Sequence, residues 1–152
     1  PRWGDGLGRA YATFLAETLK PYIDNKFRTR PEREHTGIGG SSMGGLISIY
    51  VGLMFPQEFS KFMIFSPSLW ISPRLYFEPL TFSHFSETKI YLYAGAKEGA
   101  GMETHIERFR QHLLRRGHHD NKLHLHLEID PEGHHNEARW GAEFPKAVEW
   151  LF

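Results

Sequence analysis

Cysteine is absent from the 152-residue chain, which excludes disulfides, thiolate nucleophiles and thiolate metal sites and leaves the redox character of its compartment unmarked. Charge of one sign is also missing. Lys and Arg number 18, and so do Asp and Glu. Without a basic surplus to hold a phosphate backbone, nucleic acid is not expected as a partner. The longest apolar stretch, residues 46–55, is far short of a bilayer span, so no membrane partner is expected either. The chain has no internal repeat, no low-complexity tract, no initiator methionine and no signal-peptide pattern, so the sequence assigns it to no compartment. What is there, 40% hydrophobic and 24% charged residues, is the balance of a globular chain long enough for one domain.

The hydrophobic pattern predicts alternating helices and strands. Leu7, Tyr11, Phe14, Leu15, Leu19, Tyr22 and Ile23 recur at helical spacing, so residues 6–27 read as an amphipathic helix that Pro21 should kink or shorten. A short strand is expected at 36–39, a glycine-serine turn at 39–45, and a helix at 46–55, apolar almost all round and ended by Phe55-Pro56. Strands follow at 62–65, 89–94 and 123–129, with helices at 102–116 and 137–152. The last helix should turn Trp140, Phe144, Ala147, Val148 and Leu151 inward. Between the second and third strands, residues 66–88 form an excursion rich in Pro, Ser and aromatics: Trp70, Tyr76, Phe77, Phe82 and Phe85. Such alternation means parallel strands covered by helices on both faces, an α/β fold.

Gly40-Ser41-Ser42-Met43-Gly44 fits G-x-S-x-G with Ser42 as the serine. A pentapeptide of this kind is weak alone, but here it joins a predicted strand to a buried helix, the setting of a nucleophile elbow. In that setting the serine takes a strained backbone angle that lifts its Oγ clear of the sheet, and Gly40 and Gly44 avoid Cβ collisions within the turn. The helix aims its positive end at the site, and the Met43 N–H becomes one oxyanion donor. A phosphate cradle is the competing use of such a turn, but neither a Gly-x-Gly-x-x-Gly nor a Gly-Lys-Thr pattern is present.

A serine nucleophile needs a base, and the base needs an orienting acid. In an elbow fold these follow in the order Ser, acid, His, each after its own strand. Glu98 stands just past the strand at 89–94, with Glu103 in the next helical turn as the other candidate. His134 and His135 stand in the loop after the strand at 123–129. All lie where open α/β sheets build their sites. His124 and His126 alternate on one strand face and could hold a metal, but no third ligand is evident, and solvent exposure is the expectation.

Residues 38–45, Ile38-Gly39-Gly40-Ser41-Ser42-Met43-Gly44-Gly45, resemble the G-x-S-M-G-G elbow of the putative-esterase family of α/β hydrolases. That family holds esterase D-like, enterochelin-esterase-like and feruloyl-esterase-type enzymes and the mycolyltransferases. Phe65-Ser66-Pro67-Ser68-Leu69-Trp70 is similar to its S-P-x-x-W stretch, and Tyr93-Ala94-Gly95-Ala96-Lys97-Glu98 to the segment carrying its acid. The run from Gly133 to Trp140 is similar to its H-x-x-x-x-W ending, which singles out His135 over His134. The resemblance implies hydrolysis of carboxylic esters through an acyl-enzyme, with Ser42 as nucleophile, His135 as base and Glu98 orienting it. Trp70 and the aromatic excursion are expected to wall the pocket or to pack in the core.

The chain departs from the family in one respect: the nucleophile is only the forty-second residue, where family members have several earlier strands. Residues 1–152 are therefore expected to be one unit, the C-terminal part of a longer α/β-hydrolase domain. The early strands and the loop giving a second oxyanion N–H would lie outside it. The other reading is a minimal hydrolase that completes its sheet by pairing a bare edge with a second copy, as a homodimer. Nothing in the sequence requires a metal or an organic cofactor. The expected partner is a small-molecule ester, with aryl, catechol-type and short acyl esters all open. An acyltransferase using the same residues and a non-catalytic binding domain of the same fold are the alternatives, and loss of turnover in Ser42→Ala separates an enzyme from the latter.

Overall fold

A computed structural model describes residues 6–71, 87–99, 101–117 and 122–152. Four strands, β1 (Gly37–Ser41), β2 (Lys61–Phe65), β3 (Thr88–Gly95) and β4 (Leu123–Asp130), form one parallel sheet in the order β1-β2-β3-β4. Parallel neighbours need long crossovers. Helix α3 (Met43–Met54) connects β1 to β2, α4 (Met102–Gly117) connects β3 to β4, and α5 (Glu137–Leu151) follows β4. The Arg33 guanidinium ties the connections at the opposite end of the strands from the elbow, donating to the Pro56 and Glu87 carbonyls at 2.6 and 2.8 Å and to Thr88 Oγ1 at 2.8 Å. Among the described residues nothing pairs with the outer edge of β1 or of β4, and no helix is long and apolar enough to cross a membrane.

Because side chains alternate along a strand, β3 sends Ile90, Leu92 and Ala94 to one face and Tyr91 and Tyr93 to the other. The first face is aliphatic. Phe62 and Ile64 of β2 join it, covered by Leu46, Ile49 and Val51 of α3 and by Ile106, Phe109 and Leu113 of α4. Burying each large side chain there contributes roughly 1.5–3 kcal/mol. The second face is aromatic: Phe65, Tyr91 and Tyr93 lie under Trp140, Ala147 and Leu151 of α5.

Two helices differ from the pattern read in the sequence. The first is not cut short at Pro21. It runs as α1 (Gly8–Phe14), a π-helical turn (Leu15–Leu19) and α2 (Lys20–Lys26). A proline lacks an N–H and crowds the carbonyl four residues back; the widened turn precedes it, leaving Pro21 in the first turn of α2, where no N–H is needed. The residues this helix buries fully are Ala12 and Ala16, whereas Leu7, Tyr11, Phe14, Leu19 and Tyr22 are exposed. In α5, Trp140, Ala147 and Leu151 are buried and Val148 half-buried, but Phe144 is 49% exposed. Glu143 takes the buried position instead. Its carboxylate accepts from the Tyr91 hydroxyl at 2.5 Å and from Lys146 Nζ at 2.8 Å, so this burial is compensated.

Candidate active site

Ser42 is the hinge between β1 and α3, with φ 55° and ψ −119°, a conformation that a residue with a Cβ adopts only under constraint. The constraint is a set of backbone bonds. Its N–H donates to the Phe65 carbonyl at 2.9 Å, and its own carbonyl accepts from Leu46 and Ser68 N–H, both at 3.1 Å. A Cβ on Gly40 would fall 2.6 Å from the Gly44 carbonyl carbon, so only glycine fits there. Gly44 itself faces open space, and the expected crowding falls on Gly45, whose Cβ would meet the Phe65 oxygen at 3.1 Å. The turn is tight where Gly40 meets the Gly44 main chain and where Gly45 meets β2, while the Cβ direction of Gly44 points away from both.

The loops after β3 and β4 carry Glu98 and His135. They are joined main chain to main chain: Ala96 N–H donates to the Asp130 carbonyl and Lys97 N–H to that of Gly133, both at 2.9 Å. A Cβ on Gly95 would lie 2.3 Å from the Gly133 carbonyl carbon, so glycines permit this approach. The hydroxyl of buried Tyr93 donates to Asp130 Oδ2 at 3.0 Å. Burial, then that bond, pushes the phenol well above its ordinary pKa, while the Glu132 N–H chiefly holds Asp130 below the usual carboxylate range. Asn136 caps α5, its Oδ1 accepting from Arg139 N–H at 3.1 Å, and so fixes the residue just before it, His135.

Ser42, His135 and Glu98 meet in one line. His135 Nε2 lies 2.9 Å from Ser42 Oγ, and Nδ1 lies 2.8 Å from Glu98 Oε2. A neutral imidazole that donates Nδ1–H to the carboxylate presents Nε2 as an acceptor for the serine proton. The Glu98 side chain is 0% exposed. A buried carboxylate needs donors, and besides His135 it has the Ser66 hydroxyl at 2.5 Å and the Gly95 N–H at 2.6 Å, both on Oε1. Glu103 is exposed in the first turn of α4, and the bond to His135 comes from Glu98. His134 is exposed beside it.

Met43 opens α3, so its N–H is among those that a helix leaves without an internal acceptor, at the positive end of the helix. Trp70 lies in a short 3₁₀ turn (Leu69–Ile71) and is 47% exposed, which puts it on a surface and not in the core. It lines an open cleft of about 530 Å³ with Glu98, Gly99, Met102, His105 and His135. The expected aromatic walls Tyr76, Phe77, Phe82 and Phe85 lie outside the described residues. His124 is exposed, and the His126 ring stacks on Tyr91 at 4.5 Å. Among the described residues no group of three His, Asp or Glu could hold a metal ion.

Three polar groups at this site stand in the motifs quoted above, but the sequence assigned them no role in it. Ser68 Oγ lies 3.2 Å from Ser42 Oγ. Ser66 touches Glu98, and the Trp140 indole N–H donates to Ser66 Oγ at 2.9 Å. Their signal was the Ser-Pro-Ser run just after a strand, and a tryptophan five residues after His135.

The family model described as "Putative esterase" matches residues 4–151. The chain belongs to this family. Among the proteins similar to this chain, the uncharacterized protein YbbA of Bacillus subtilis is 26% identical over 159 residues, covering 97% of this chain and 61% of that protein. A siderophore enterobactin esterase of Emericella nidulans is 31% identical over 64 residues, 42% of this chain and 21% of that one. The crystal structure of the BES protein from Bacillus cereus superimposes with a TM-score of 0.80 at 23% identity, over 94% of this chain and 55% of that chain. The fold is therefore that of the α/β-hydrolase esterases, and the chain spans only part of the length of the relatives it matches.

Proposed function

We propose that residues 1–152 are part of an α/β-hydrolase domain that hydrolyses carboxylic esters of small molecules through an acyl-enzyme on Ser42. The observation that carries this reading is the continuous hydrogen-bonded line from Ser42 Oγ through His135 to buried Glu98, at 2.9 and 2.8 Å, on a serine held at φ 55°. Membership of the esterase family supports it independently.

In the first half-reaction Ser42 Oγ bonds to the ester carbonyl carbon while its proton passes to His135 Nε2. The Glu98 carboxylate holds Nδ1–H and stabilises the imidazolium. The carbonyl oxygen gains the electron pair and faces the Met43 N–H at the positive end of α3. As the tetrahedral centre collapses, the bond to the alkoxy oxygen breaks and His135 gives its proton to the departing alcohol. Water then repeats the sequence on the acyl-serine, its proton going to His135, and the carboxylic acid leaves. Trp70 offers a flat surface beside the reacting centre, which supports aryl esters as the first substrates to test.

The test is covalent labelling. A fluorophosphonate probe should leave an adduct that mass spectrometry maps to Ser42, and His135→Ala should lose it. Ser42→Ala should lower aryl-ester turnover by about 10⁴-fold or more. A folded protein that neither labels at Ser42 nor turns over any ester overturns the reading.

A further inference from the structure

Behind Glu98 stands a hydrogen-bond chain that the proposed mechanism does not use. Ser66 is fully buried and sits at φ 44°, immediately before Pro67. Its N–H donates to the Tyr93 carbonyl at 2.7 Å, so the strained backbone is fixed to β3. Its hydroxyl has two neighbours: Trp140 Nε1 at 2.9 Å and Glu98 Oε1 at 2.5 Å. An indole N–H can only donate. Ser66 Oγ must therefore accept from Trp140, and its own proton has one remaining partner, the carboxylate. The polarity of the chain follows from chemistry alone: Trp140 gives to Ser66, and Ser66 gives to Glu98.

This matters for the acid. Charge-assisted donors on Oε1, from Ser66 and from Gly95, fix the carboxylate plane, so that Oε2 is left facing His135 Nδ1. The same Trp140 ring meets the His135 ring edge to face at 4.8 Å and 85°, so one side chain steadies the base directly and the acid through Ser66. We infer that Ser66 and Trp140 are positioning residues that hold Glu98 aligned on His135. The inference rests on the esterase reading above for its kinetic consequences, but not for its geometry.

The experiment compares Ser66→Gly with Ser66→Ala. Both remove the hydroxyl and its two hydrogen bonds, but glycine accepts φ 44° without strain, so Ser66→Gly should melt above Ser66→Ala. If the hydroxyl positions Glu98, both variants lose kcat by about 10- to 100-fold, with KM within about twofold, because Ser66 is buried away from the cleft. Trp140→Phe should lose less, about two- to tenfold, since the freed Ser66 hydroxyl keeps its acceptor. A second readout needs no turnover: the exchangeable His135 Nδ1–H resonance in the proton NMR spectrum should move upfield or vanish in Ser66→Gly. Full kcat in Ser66→Gly, or a loss confined to KM, overturns the inference and leaves Ser66 as a turn residue. If the wild type hydrolyses nothing, the esterase reading fails, and the Nδ1–H resonance alone decides: unchanged in Ser66→Gly, it overturns the inference as well.

Discussion

On the face of the sheet covered by α1, α3 and α4, β3 contributes Ile90, Leu92 and Ala94; on the face covered by α5 it contributes Tyr91 and Tyr93. The two sets alternate along one strand and are equally well buried. Yet the first ends in aliphatic carbon, while the second ends in hydroxyls bonded to Glu143 and Asp130. The aromatic face also holds Trp140, which reaches Ser66 and His135. The aliphatic face thus supplies stability with little bearing on the geometry of the site. The aromatic face fixes directions, because each hydroxyl and indole has a partner at a defined angle.

The largest test of that division is on stability. Leu92→Ala should cost about 2–5 kcal/mol by urea denaturation, while turnover per folded molecule stays within about twofold. An equal loss of turnover would mean that the two faces are not separate. Tyr93→Phe should invert the pattern. It removes one hydroxyl, worth about 1 kcal/mol, yet it frees the loop between Asp130 and His135, and turnover should fall up to about tenfold.

Next comes alkaline stability. Burial and a carboxylate partner raise the pKa of both Tyr91 and Tyr93 above the ordinary value of 10.0. A raised pKa means that the neutral form is favoured on folding, so this stability is complete below pH 10 and is lost as pH rises beyond it. Denaturation midpoints should fall steeply above about pH 10 in the wild type and in Leu92→Ala alike, and less steeply in Tyr91→Phe. The smallest effect is at acid pH. Asp130, through the Glu132 N–H, and Asp24, through Lys20, are held below the usual carboxylate range. Each adds stability above its ordinary pKa that disappears as pH falls through the lowered one. Asp130→Asn and Asp24→Asn should each flatten part of the acid slope.

The parts of this molecule that could be read from sequence are those where one residue type has one reason to be present. Gly40 before Ser42 marks an elbow, and strands that end in Gly95 and near Gly133 point to loops at one edge of the sheet, which is how Glu98 and His135 could be found. The helix through Pro21 misled because apolar spacing reports a helix but not which face is covered; two alanines, Ala12 and Ala16, make the buried seam. Phe144 and Glu143 changed places because a carboxylate with a tyrosine and a lysine at hand can be buried, and pattern reading counts it as polar. Ser66 stands in a legible Ser-Pro stretch, but its role is not legible there, for another reason. A serine before a proline reads as a turn, and only the donor-only indole of a residue 74 positions away gives its hydroxyl a direction.

The strands stand in the sheet in the order in which the chain is synthesised, β1 to β4, each added to the edge left by the one before. A nascent chain can therefore build outward from the elbow without threading a late strand between early ones. Ser42 emerges first, Glu98 after two more strands, and His135 only when β4 is complete. Until then Ser42 Oγ has no imidazole beside it. On the proposed reading the chain is thus born with its nucleophile unarmed, and arming it coincides with the closing of the aromatic face by α5.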